Sequence, residues 1–269
     1  YVITAFTTLT TVFLFFSGMI TDWLGIRRSL TVILSGLLLL RLLIVLVATV
    51  PGVPYRGMVA MVLFILMAPF MASIQTIFQS ANKRFTSRRS RSAGFTLWYL
   101  FMNIGAAMAG LLVDGVRKFL HLSNVHIFTA GVITASLCLI AGILLVRSEA
   151  QRTGEGEEPE NSEPKPRSNP LQIAKQVLRE KAFWRLLALI SFLLGTRAVF
   201  TYMYLLMPKY WLRVIGPDAA IGTLNMINPI GIVVGLILFI PLTNRFNIYK
   251  MLVYGSMVSA ISLFPMAIP

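Results

Sequence analysis

The sequence predicts an all-α integral membrane protein, and three features carry that prediction. Hydrophobic residues fill 57% of the 269 positions and charged residues only 13%, whereas a soluble domain needs about a quarter of its residues charged to solvate its surface. The apolar residues fall into eight long continuous runs, which selects membrane-spanning helices over the alternating strands of a barrel. The basic residues sit in loops between those runs, with rich and poor loops alternating along the chain. That distribution accounts for the net charge of +14 by membrane orientation, so no nucleic-acid partner is expected.

Crossing about 30 Å of hydrocarbon takes about 20 helical residues. The first run, Tyr1–Ile20, is apolar from its first residue. The second, Leu30–Val50, encloses a single charge, Arg41. The third, Met58–Gln79, carries no lysine. The fourth, Ala93–Val113, holds Tyr99, Asn103 and a group of small residues between Gly105 and Gly110. The fifth, Val125–Val146, contains the lone cysteine, Cys138, which leaves no partner for an intrachain disulfide. The sixth, Phe183–Met207, holds Arg197, Tyr202 and Tyr204. The seventh, Ala219–Leu242, holds Asn225, Asn228 and Pro229, with a G-x-x-x-G at Gly231 and Gly235. The eighth, Met251–Pro269, has two prolines near its end, which leaves its boundary open. The apolar start at Tyr1 and the apolar stop at Pro269 point to a fragment of a longer chain.

Counting Lys and Arg loop by loop gives 16 on one side and five on the other. The richer side takes the cytoplasm by the positive-inside rule. It includes Arg27 and Arg28, the group from Lys83 to Arg91, and the long loop between Arg147 and Lys181. Within that loop GEGEEPENSEPKPRSNP lacks apolar residues and reads as a disordered linker. After Asn169 and Pro170, LQIAKQVLREK places Leu171, Ile173, Ala174, Val177 and Leu178 on one helical face, as in a short helix lying on the membrane surface. The expected organisation is a half-bundle over 1–146, a cytoplasmic linker over 147–182 and a second half-bundle over 183–269.

An internal repeat sharpens this picture. ITDWLGIRRSL, from Ile20, and LTNRFNIYKML, from Leu242, align at a constant offset of 222 residues. The offset pairs Thr21 with Thr243, Asp22 with Asn244, Ile26 with Ile248, Arg28 with Lys250 and Leu30 with Leu252. Two copies in the same orientation imply parallel halves related by an axis along the membrane normal.

Gly18, Asp22, Gly25, Arg27 and Arg28 stand in the spacing G-x-x-x-D-x-x-G-x-R-R. With the repeat, this spacing resembles the signature that the major facilitator superfamily carries between its second and third helices. The resemblance implies a twelve-helix transporter fold of which the second to ninth helices are visible. It assigns the five signature residues to a gating loop that latches the halves on the cytoplasmic side. The glycines would permit close approach and a tight turn, and Asp22 would pair with Arg27, Arg28 or helix ends. A narrower resemblance, to proton-coupled oligopeptide transporters, rests on FTLWYLFMNIGAAMAG from Phe95 and LNMINPIGIVVGLILFIPL from Leu224. It implies a peptide substrate and a proton as coupling ion.

Polar groups at membrane depth are costly and point to function. Arg41 and Arg197, one in each half, would suit the carboxylate or phosphate of an anionic solute, or else form a structural pair with a buried acid or snorkel toward the outer surface. Asn103, Asn228, Tyr99 and Tyr202 are further solute or coupling candidates, with interhelical hydrogen bonding as the plainer role for the asparagines. Gly105, Gly110, Gly231 and Gly235 read as helix-packing positions. No metal-ligand cluster, nucleophile motif or phosphate loop stands out, so no enzyme activity, metal or cofactor is expected. The function implied is secondary active transport of a small organic solute across a membrane, with the plasma (inner) membrane as the expected location. A transport-dead receptor or scaffold of the same fold is the alternative of another class.

Overall fold

A computed structural model describes residues 2–87, 90–146, 177–243, 248–262 and 264. Its helices are α1 (Val2–Leu24), α2 (Ile26–Thr49), α3 (Arg56–Leu66), α4 (Ala68–Phe85), α5 (Arg91–Asp114), α6 (Asn124–Leu145), α7 (Lys181–Val214), α8 (Ile221–Thr243) and α9 (Ile248–Ile261), with a π-helical turn at Gly115–Phe119. No strand occurs among the described residues. The expected linker and most of its surface helix lie outside them, as do residues 244–247 of the second signature copy.

Five helical stretches are long and apolar enough to cross a membrane, and a sixth if the two arms of α1, bent by 51°, count as one span. The expected eight are therefore not all established among the described residues: α9 is described over only 14 residues. Two boundaries differ from expectation for identifiable reasons. The third run is one span from Arg56 to Phe85 but breaks at Met67, between α3 and α4. Pro69 lies in the first turn of α4, has no N–H to donate and crowds the carbonyl of Ile65 one turn back. The fourth run continues past Val113 through the π turn, where the Leu120 N–H reaches the Gly115 carbonyl at 3.0 Å.

By its contacts the chain divides into two compact units. The first comprises α1–α4, both ends of α5, the π turn and α6; the second comprises Asn103–Leu111 of α5 with α7–α9. In the first unit α1 packs chiefly on α4, and α2 on α6 and α4. The face of α2 that does this repeats every three or four residues: Ile26, Leu30, Ile33, Leu34 and Leu37 are all buried. Ile77 of α4 completes one cluster with the first four, flanked by Phe70, Ile74 and Leu139, while Leu37 joins Ile44 and Met67 in a second. The opposite face of α2 exposes Val32, Leu39 and Leu46, as lipid contact requires.

Lipid tails are as apolar as leucine, so close fit rather than hydrophobicity holds such helices together. Small residues supply the fit. A Cβ at Gly36 would overlap the Phe70 ring, and one at Gly142 would come within 3.1 Å of Leu30. Hydroxyls fill the α1–α4 contact: Ser17 and Thr76 share a 2.6 Å hydrogen bond, and Ser17 and Thr21 are at most 1% exposed. The Thr21 hydroxyl in turn donates to the Ser17 carbonyl at 2.9 Å.

Candidate functional site: a gating corner and the intramembrane polar residues

The signature residues occupy the junction of α1 and α2. The loop expected from Ile20 to Leu30 is in fact a single residue, Gly25, since α1 runs to Leu24 and α2 begins at Ile26. Gly25 has φ 77° and ψ 163°, a conformation that L side chains rarely adopt, and this reverses the chain without a loop. Its carbonyl still accepts the Ser29 N–H at 3.1 Å, so the second helix starts at once. Gly18 is different. A Cβ there would meet nothing within 4 Å, so the structure shows no close approach at that glycine.

Asp22 lies in the last turn of α1, and Arg84 lies in the last turn of α4. Arg84 donates from Nη2 to Asp22 Oδ1 at 2.6 Å. The carboxylate was expected to engage Arg27, Arg28 or a helix end; its ion pair is with Arg84 instead, because the α1–α4 packing brings the two helix ends together. The Asp22 side chain is 72% exposed and that of Arg84 29%, so water screens the pair and its net worth is about 0–1 kcal/mol. Arg84 also sits favourably at the negative end of the α4 dipole. Arg27 and Arg28 are exposed at the start of α2. Sequence reasoning missed Arg84 as a partner, although the loop census had already put it on the same side as Asp22.

Arg41 is half-buried on α2 and donates from Nη1 to the Gly131 carbonyl of α6 at 2.6 Å. The Thr134 hydroxyl reaches the same carbonyl at 3.0 Å. Gly131 is the residue that permits this, since a Cβ there would stand 3.3 Å from the guanidinium. The start of α2 at Ile26, rather than Leu30, places Arg41 roughly 22 Å along its helix at 1.5 Å per residue. Arg41 therefore ties α2 to α6 inside the first unit. Arg197 and Tyr202 fall on α7, and their side chains lie outside what is described.

On α5, Asn103 is only 5% exposed and Tyr99 is half-buried. Asn228 of α8 is half-buried beside Pro229, which is fully buried. Of the four packing glycines, Gly110 makes a close contact: a Cβ there would lie 2.5 Å from the Gly222 carbonyl and 3.1 Å from Met226. Corresponding positions at Gly105, Gly231 and Gly235 meet nothing within 4 Å. Gly222 was not singled out from the sequence, where it stands as an isolated glycine in the first turn of α8.

Among the described residues no group of His, Cys, Asp and Glu could hold a metal ion. The site residues thus give an exposed ion pair at a tight turn, an intramembrane arginine on a main-chain carbonyl, and two buried or half-buried asparagines. Compared with known families, the chain matches the model of the Major Facilitator Superfamily over residues 1–269. Comparison with curated proteins and with solved structures returns no match.

Proposed function

The chain belongs to the Major Facilitator Superfamily and is a multi-pass membrane transporter rather than an enzyme, and on that premise we propose that it moves a small organic solute by alternating access. The family match along the whole chain is the observation that carries this reading. It is a match to the superfamily and lends no support to the narrower oligopeptide branch. The 222-residue repeat supports two parallel halves that rock about a site near the midplane.

We assign gating to Gly25, Asp22, Arg27 and Arg28, with Gly18 retained from the signature and Arg84 added. An exposed ion pair is weak enough to break and re-form in each cycle, which is what a latch requires. Solute or coupling contacts fall to Tyr99, Asn103, Asn228, Arg197 and Tyr202, with Arg197 suited to an anionic group and a proton as coupling ion. The Arg41–Gly131 hydrogen bond favours a structural tie for Arg41 over a solute contact. The basic loops, including the central one, face the cytoplasm of the plasma (inner) membrane in this proposal.

The test is uptake by the full-length protein in liposomes, comparing labelled peptides, organic anions and neutral solutes with and without an inward proton gradient. Saturable, gradient-driven accumulation of one class supports the proposal. A folded protein that accumulates none of them moves the receptor or scaffold reading forward.

A further inference from the structure

The fourth apolar run of the sequence ends at Val113 and leaves Asp114 just beyond it. In the structure the helical stretch runs on to Phe119, so Asp114 lies inside Arg91–Phe119, which is long and apolar enough to cross a membrane. It is also enclosed. Asp114 is 3% exposed, whereas the other acids among the described residues, Asp22, Glu180 and Asp218, are exposed. An ionisable group inside a span is costly to keep, which marks it for function. Tyr99, Asn103, Gly110 and Asp114 follow one another at four, seven and four residues, so one face of α5 carries them all. None of the four is exposed, while Phe101, Met108 and Leu112 on the opposite face are, as lipid contact requires. Two departures from regular helix follow Asp114 directly: the π turn at Gly115–Phe119, and His121 with φ 51°. Such departures gather at functional sites. The charged and titratable groups on the elements beside Asp114 are Arg117 and Lys118 of the π turn, His121 after it, and His126 at the start of α6, which packs on that turn. All four side chains are exposed, and the His126 ring meets the Ser123 hydroxyl at 3.2 Å.

We propose that Asp114 is the carboxylate that couples a proton to transport. This role deepens the carrier reading above, and rests on it, by naming the group that handles the coupling proton. The step is a proton transfer alone: water on the outer side gives a proton to a carboxylate oxygen, and the O–H bond so formed breaks to water once the inner side is open. A carboxyl group is cheaper to enclose neutral than ionised. Uptake of a proton therefore favours the enclosed arrangement, and reopening to water favours release. Protonation and closure become one equilibrium, which is what coupling requires. Position supplies the sidedness. Asp114 ends α5 roughly 34 Å along the helix from Arg91, which is the outer end in the orientation proposed from the basic loops. Asn103, a proposed solute contact on the same face, stands roughly 16 Å deeper. Proton and solute thus communicate through closure rather than by touching.

The experiment compares counterflow with gradient-driven uptake in liposomes holding the full-length protein, with the membrane potential clamped. The probes are the labelled solute accumulated in the uptake panel above and trapped pyranine, which reports proton entry. With one proton per solute, a pH gradient of about one unit sustains up to about tenfold accumulation in the wild type. Asp114→Asn is expected to keep counterflow with KM unchanged, while accumulation falls to about onefold and solute-driven proton entry stops. Asp114→Glu should keep both activities with a displaced pH profile. A merely structural role would not separate exchange from accumulation. Gradient-driven accumulation by Asp114→Asn would overturn the proposal, and so would a folded Asp114→Asn that has lost counterflow as well. If Asp114→Asn does not fold, Asp114→Glu decides, and a pH profile identical to that of the wild type would overturn it. A wild type that exchanges solute but ignores the gradient fails proton coupling itself, and one that exchanges nothing fails the carrier reading, so the failures are distinguishable.

Discussion

Arg84 and Asp22 are 62 residues apart in the chain and form a 2.6 Å ion pair between the last turns of α4 and α1. Asp22 stands three residues before Gly25, which makes the turn between α1 and α2 by itself. If the pair is the latch, neutralising either partner should alter exchange between states more than solute binding. Asp22→Asn and Arg84→Gln are each expected to change turnover several-fold with KM nearly unchanged. The charge swap Asp22→Arg with Arg84→Asp should recover part of the loss. A double-mutant cycle in thermal unfolding should give a coupling of about 0–1 kcal/mol, given the exposure of the pair. Equal large shifts in KM with normal turnover would remove the pair from gating.

Gly25 makes the sharpest prediction about folding. At φ 77° and ψ 163° any side chain is strained, so Gly25→Ala should destabilise by about 1–3 kcal/mol. Gly18→Ala should be close to neutral, since its Cβ would enter open space. Unfolding of the two variants in detergent, measured side by side, checks the contrast.

Arg41→Gln distinguishes a tie from a solute contact. The Arg41–Gly131 hydrogen bond predicts a loss of about 1–3 kcal/mol in stability, as for a hydrogen bond to a charged group. Solute affinity of the protein that remains folded should be unchanged. Gly131→Ala should reproduce part of the effect by pressing on the guanidinium. An affinity collapse at full stability would return Arg41 to the solute site.

Gly110→Ala places a Cβ against the Gly222 carbonyl, so α5 or α8 must shift, at a cost of about 1–3 kcal/mol. Gly105→Ala, on the same helix, should instead be neutral or stabilise by up to about 1 kcal/mol through helix propensity. Thermal unfolding of the pair tests whether close packing sits at one glycine or at both.

What was legible in the sequence depended on range. The helices followed from apolar runs, and the Gly25 turn from a glycine in a short motif, because both are local properties. Loop lengths were overestimated where polar residues continue a helix: Thr21 and Asp22 belong to α1, their hydroxyl and carboxylate satisfied by Ser17 and Arg84. Pro69 was present to be read as a helix break, yet the apolar run around it masked the signal. Partners were the hidden part. Nothing local connects Arg41 to Gly131, 90 residues on, or distinguishes Gly110 from Gly105. Small-residue spacing states which positions can pack closely, and only the neighbouring helix decides which do.

The central claim is that the chain is a carrier operating by alternating access, and counterflow tests it most directly. Full-length protein in liposomes would be loaded with unlabelled solute and diluted into a trace of the labelled form, with no ion gradient. The account predicts a transient accumulation of label above equilibrium, because the loaded solute returns the carrier outward. Folded protein that equilibrates the label without overshoot, at a rate indifferent to the loaded solute, would contradict it.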